Sequence, residues 1–101
     1  MDPVLKQRIE ELINSSPVFL FMKGTPQMPQ CGFSAQVIEI LNEQNIKFKS
    51  FNVFEDESIR QGVKEYANWP TIPQIYVKGK FIGGCDILTD LAQSGELKKL
   101  I

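Results

Sequence analysis

Cys31 and Cys85 are the only cysteines in a chain that contains no histidine. Histidine-based triads are therefore excluded, and one chain falls short of the ligands of a tetrahedral zinc site. Chemistry must run through thiols or recruit ligands from outside. Cys31 follows a segment carrying Pro26 and Pro29 and precedes a helical pattern. Such a junction favours an exposed thiolate of lowered pKa, although a cysteine also serves as a small buried hydrophobe. Ser34 stands three residues on, where a C-x-x-C motif would carry its second thiol, so no local disulfide can form there. A hydroxyl is neither an exchangeable thiol nor a strong ligand for a soft metal, and Ser34 reads as a capping or packing group. Cys85, behind Gly83-Gly84 and before Asp86, reads either as a small residue beside a sharp turn or as an auxiliary thiol, resolving or metal-binding.

The elements that must position these thiols can be read from apolar spacing. Leu5, Ile9, Leu12 and Ile13 predict a first helix with Asp2 as N-cap and Pro3 at its first position, where the missing N–H costs nothing. Val18 to Met22 is a short continuous apolar run, the pattern of a strand covered on both faces. Gly24 to Gln30 is a proline-restricted loop leading to Cys31. Phe33, Val37, Ile40 and Leu41 mark a helix from about Gly32 to Gln44, and Phe48 to Val53 predicts a second, parallel strand. A helix is expected over Glu55 to Ala67, with its acidic start matching the helix field. Ile72 to Val77 and Lys80 to Ile82 predict an edge hairpin turning at Lys78-Gly79. A last major helix then follows, with Asp86 as its expected N-cap, and Leu97 to Ile101 forms a final packing segment. This order predicts an α/β fold of thioredoxin-like type, a four-stranded mixed sheet flanked by helices, with residues 1–101 as one domain.

Composition supports that scale. The 101 residues are 43% hydrophobic, enough for one modest core. Eleven Lys and Arg against 12 Asp and Glu give a net charge of -1, so no general attraction to nucleic acid or to an anionic membrane is expected. The first residues mix charges at nearly every turn, unlike a signal peptide, and the run Val18 to Met22 is too short to span a bilayer. Two cysteines are too few for a secreted disulfide scaffold. The expectation is a reducing compartment: the cytoplasm, or a mitochondrion or plastid if a transit peptide has been removed.

Cys31-Gly32-Phe33-Ser34 resembles the motif of monothiol glutaredoxins of the CGFS type, and the likeness runs along nearly the whole chain. It includes Phe21-Met22-Lys23-Gly24, the loop before Cys31, Trp69-Pro70-Thr71-Ile72-Pro73-Gln74, and Gly83-Gly84-Cys85-Asp86. The resemblance implies a glutathione pocket built from Lys23, the Cys31 region with Gly32 and Phe33, Arg60, the Thr71-Ile72-Pro73 segment and the Gly84-Cys85-Asp86 turn. Lys23 and Arg60 suit the tripeptide's carboxylates, and backbone at an exposed edge around Ile72 suits its extended chain. Asp86 is equally suited to capping, and Lys23 and Arg60 are also ordinary solvated charges. Pro73 resembles the family's cis-proline. Trp69 and Phe33 are expected chiefly as packing supports.

The resemblance further implies a [2Fe-2S] cluster bridging two chains, with Cys31 and one glutathione sulfur from each. Cluster transfer in iron-sulfur protein maturation or iron homeostasis follows, with weak or no reductase activity. A cluster-bridged homodimer, a BolA-like protein and apo iron-sulfur acceptors are the implied partners. Two alternatives stand beside this reading. One is a glutathione-dependent thiol-disulfide oxidoreductase in which Cys31 attacks glutathionylated substrates; the other is a cluster-free binding module.

Overall fold

The strand β1 (Val18–Met22) is buried along its whole length because both faces of the sheet around it are covered. A computed structural model describes all residues from Met1 to Ile101. β1 pairs in parallel with β2 (Lys49–Asn52) and antiparallel with β3 (Gln74–Val77), which pairs antiparallel with β4 (Lys80–Gly83). The four-stranded sheet has the order β2-β1-β3-β4. Helices complete the layers: α1 (Pro3–Ile13), α2 (Gly32–Glu43), α3 (Glu57–Ala67), α4 (Cys85–Ser94) and the short α5 (Leu97–Leu100). The result is a thioredoxin-like α/β fold. None of these helices is long and apolar enough to cross a membrane.

Strand alternation divides the core. Val18, Leu20, Met22, Ile75 and Val77 face α2 and α4 and pack with Val37, Leu41 and Leu88. Phe19, Phe21 and Tyr76 face the other way, into Ile9 and Ile13 of α1 and Ile59 and Val63 of α3. Asp2 caps α1, accepting the Leu5 N–H at 3.0 Å, and Lys78-Gly79 makes the tight hairpin.

Element ends depart from the sequence reading where a local group competes. β2 stops at Asn52, because its side chain turns the following residues into a 3-10 turn over Val53–Glu55. α3 begins at Glu57 rather than Glu55, since Asp56 accepts the Ile59 N–H at 3.1 Å and is the N-cap. β3 begins at Gln74 rather than Ile72, because Pro73 has no N–H to pair; the Ile72-Pro73 peptide is cis, as the resemblance implied. β3 is an inner strand, so the edge expected at Ile72 is not a sheet edge; β4 forms that side. α4 is capped by Gly84, not Asp86, which lies within the first turn. Leu88 N–H donates to the Gly84 carbonyl at 3.0 Å, starting the helix before Asp86 can cap it.

Candidate functional site

Cys31 is the N-cap of α2, in extended conformation and partly exposed. Partial burial acts to raise its pKa, but it is outweighed by the Ser34 and Phe33 backbone amides, by the Lys23 charge and by the Ser34 hydroxyl, and the thiol falls below its ordinary 9.0. The thiol proton is therefore held less tightly at the mouth of the helix than in a free cysteine. Ser34, fully buried, accepts the Lys23 N–H at 3.2 Å. The packing role expected of it is present, and its hydroxyl adds the smallest share to the lowering of the Cys31 pKa.

Cys85 differs in burial and in the direction of its pKa shift. It is buried at the start of α4, and desolvation chiefly pushes its thiol above 9.0, with Asp86 and Cys31 adding to the shift against the Thr89 hydroxyl. Both cysteines are free. One chain thus carries one partly exposed thiol of lowered pKa and one buried thiol of raised pKa. No three side chains of metal-ligating type group together.

The loop before Cys31 is tied at its base. Gln30 N–H donates to the Lys23 carbonyl at 2.9 Å, and Thr25 and Met28 exchange backbone bonds at 3.2 and 3.1 Å. Gly24 sits at φ 89°, and a Cβ there would lie 2.5 Å from the Met28 carbonyl oxygen, so the turn requires glycine. This tether fixes where Cys31 enters α2.

Beside Phe33 lies a cavity of about 470 Å³, within the size range of small-molecule sites. Thr71, Ile72 and Pro73 form one wall, and Gly84, Cys85 and Asp86 form another. Trp69 lines it as well, and its Nε1 is buried without a hydrogen-bond partner. Gly84 permits this closeness: a Cβ would lie 3.3 Å from the Pro73 carbonyl and 3.6 Å from that indole nitrogen. Phe33 is 61% exposed, which corrects its reading as a packing support, whereas Trp69 packs on Phe81 with centroids 5.4 Å apart. Seven of the residues named from the resemblance therefore share one cavity.

The structure does not bring the other four into the lining of this cavity. Lys23 and Cys31 flank the loop, and Gly32 lines a separate open groove between α2 and α4. Arg60 sits in the first turns of α3, 3.7 Å from Glu57 and 5.3 Å above the Phe54 ring. Sequence reasoning assigned no role to Gln74. It is fully buried, and its Nε2 donates to the Trp69 and Thr71 carbonyls at 3.3 Å each, while its Oε1 accepts from the Tyr76 hydroxyl at 3.3 Å. A polar residue inside an apolar strand pattern was the available signal.

The Glutaredoxin family model matches residues 18–82. An uncharacterized monothiol glutaredoxin of Synechocystis sp. is 54% identical over 101 residues, 100% of this chain and 94% of its own length. Mitochondrial monothiol glutaredoxin-5 of Lachancea kluyveri is 57% identical over 99 residues, 95% of this chain and 69% of its own. Reduced apo GrxS14 of poplar superposes with a TM-score of 0.82 at 50% identity, covering 94% of this chain and 87% of that one. The chain spans only 20% of a monothiol glutaredoxin of Oryza sativa subsp. japonica and 29% of Glutaredoxin 3 of Danio rerio. With one activated thiol on a thioredoxin-like frame and these relatives along nearly its whole length, the chain belongs to the monothiol glutaredoxin family.

Proposed function

We propose that this chain, as a CGFS-type monothiol glutaredoxin, binds and transfers a [2Fe-2S] cluster with glutathione as co-ligand. The observation that carries the reading is the contrast between its thiols: Cys31 is partly exposed with a lowered pKa, whereas Cys85 is buried with a raised one. A cluster held by four thiolates needs more than one chain of this kind can supply. Cys31 from each of two chains, with glutathione contributing one further thiolate per chain, completes the set.

The residues present fit glutathione. The cavity beside Phe33 has room for a tripeptide, and the α4 N-terminus at Gly84-Cys85-Asp86 suits the γ-glutamyl carboxylate. Lys23 and Arg60 suit the glycine carboxylate, and backbone at Thr71, Ile72 and Pro73 suits the extended chain. Held partly by external thiols, the cargo exchanges more readily than one fixed by four cysteines of a single chain. That favours delivery to apo iron-sulfur proteins, with a BolA-like protein as an alternative half of the assembly, in cluster maturation or iron homeostasis.

The lowered pKa of Cys31 also favours a second reading, deglutathionylation. The Cys31 thiolate would attack the glutathionyl sulfur of a mixed disulfide and release the substrate thiolate. A glutathione thiolate would then attack the Cys31 adduct, giving oxidised glutathione and restoring Cys31.

Anaerobic iron and sulfide reconstitution, with and without glutathione, separates the two readings. A glutathione-dependent chromophore with two irons and two sulfides per dimer is expected. Folded, metal-free monomer that sustains glutathione-linked reduction would replace the carrier reading with the enzyme.

A further inference from the structure

Asn52 ends β2 opposite Met22 of β1, and its side-chain carbonyl is shared by two segments. Oδ1 accepts the Gly24 N–H at 3.0 Å and the Phe54 N–H at 3.0 Å. Rotation of this amide would release both donors at once, so the contact acts as a clamp. On one side it holds the Lys23-Gly24 junction at the base of the loop that delivers Cys31. On the other it holds the turn carrying Phe54.

Phe54 is 49% exposed, and the Arg60 guanidinium lies 5.3 Å from its centroid. Arg60 is otherwise weakly held, with a 3.7 Å ion pair to Glu57 and a buried Nε that has no partner. An unbroken series of contacts therefore runs from Lys23 through Gly24, Asn52 and Phe54 to Arg60. Both cations sit on long flexible stems, and organising them before binding reduces the entropy lost when they engage one anion.

We propose that Asn52 is a positioning residue that fixes the spacing of Lys23 and Arg60, with Phe54 as the platform under Arg60, so that both cations converge on one carboxylate of a bound peptide thiol. This rests on the glutathione reading above, in which that group is the glycine carboxylate. An apolar residue at 52 would orphan two backbone donors. Aspartate would keep both bonds but add a negative charge at the Lys23-Gly24 junction.

The test is an NMR titration of the reduced protein with glutathione and with its glycine ethyl ester, in the wild type, Asn52→Ala and Phe54→Ala. The wild type is expected to bind glutathione about tenfold more tightly than the ester, the scale of one charge-assisted contact. In each variant that preference should fall towards unity while ester affinity holds. Phe54→Ala alters an exposed side chain and keeps the test open if Asn52→Ala fails to fold. A wild type without preference for the free carboxylate overturns the carboxylate reading and the proposal with it. A wild-type preference that survives in the folded variants overturns the positioning role alone. Equal weakening of both ligands also overturns it, making Asn52 a structural residue only.

Discussion

The Ser34 hydroxyl oxygen accepts the Lys23 backbone N–H at 3.2 Å while the same hydroxyl stabilises the Cys31 thiolate. Ser34 is thus not only the residue that replaces a second thiol. It joins the residue just after β1 to the first turn of α2 and contributes to the lowering of the Cys31 pKa.

Ser34→Ala should leave the Lys23 N–H without its partner and cost about 1–3 kcal/mol of folding stability. Removing one donor from the thiolate should also raise the Cys31 pKa. Iodoacetamide alkylation of Cys31 followed against pH is expected to shift to higher pH in the variant. An unchanged profile in folded protein would remove the hydroxyl from the account of thiol activation.

Alkaline pH should destabilise the fold through Cys85 first. Desolvation chiefly holds its thiol above the ordinary 9.0, so the folded chain keeps this proton more tightly than the unfolded chain. The resulting stability is complete below about pH 9 and is lost as pH rises through the folded value. Burial of Tyr76 and Tyr66 raises both phenols above 10.0 and acts with the same sign at higher pH. Cys31 has the opposite sign, because its lowered pKa adds stability above 9.0 that is lost as pH falls through the folded value. Melting temperature against pH should therefore decline later in Cys85→Ala than in the wild type. Superimposable declines would contradict the buried, protonated state assigned to Cys85.

Cys85→Ser tests the ligand count of the proposed cluster. The folded variant is expected to keep two irons and two sulfides per dimer after reconstitution with glutathione, whereas Cys31→Ser should lose them. A hydroxyl at this enclosed site should cost about 1–2 kcal/mol, so circular dichroism must accompany the metal analysis. Loss of the cluster from folded Cys85→Ser would make Cys85 a ligand and remove the need for glutathione sulfur.

Gln74→Leu should strip a donor from the Trp69 and Thr71 carbonyls and an acceptor from the Tyr76 hydroxyl. A loss of about 2–4 kcal/mol is expected in urea denaturation, together with weaker glutathione binding because Thr71 lines the cavity. Trp69 is the only tryptophan, so its emission reports the loosened segment directly, with a red shift expected. Wild-type stability and emission would show that these bonds do not hold the wall.

The order of helices and strands was legible in the sequence because the helices carry a local apolar period and the strands carry runs rich in apolar, branched and aromatic residues. The unbroken run Val18 to Met22 marks a strand covered on both faces, as the two packed layers around it require. The placement of Cys31 was equally legible: it sits where a loop meets a helix, and that is a property of adjacent residues. What sequence left open were polar contacts between distant positions. Asn52 meets Gly24 across 28 residues, Lys23 meets Ser34 across 11, and Gln74 turns inward from a strand whose pattern predicts only packing. Composition cannot encode those pairings, because a buried carbonyl or hydroxyl acquires its partner only when strands and helices close over it. The fates of the two thiols were divided in the same way: tertiary burial raises Cys85, and the amides at the start of α2 lower Cys31.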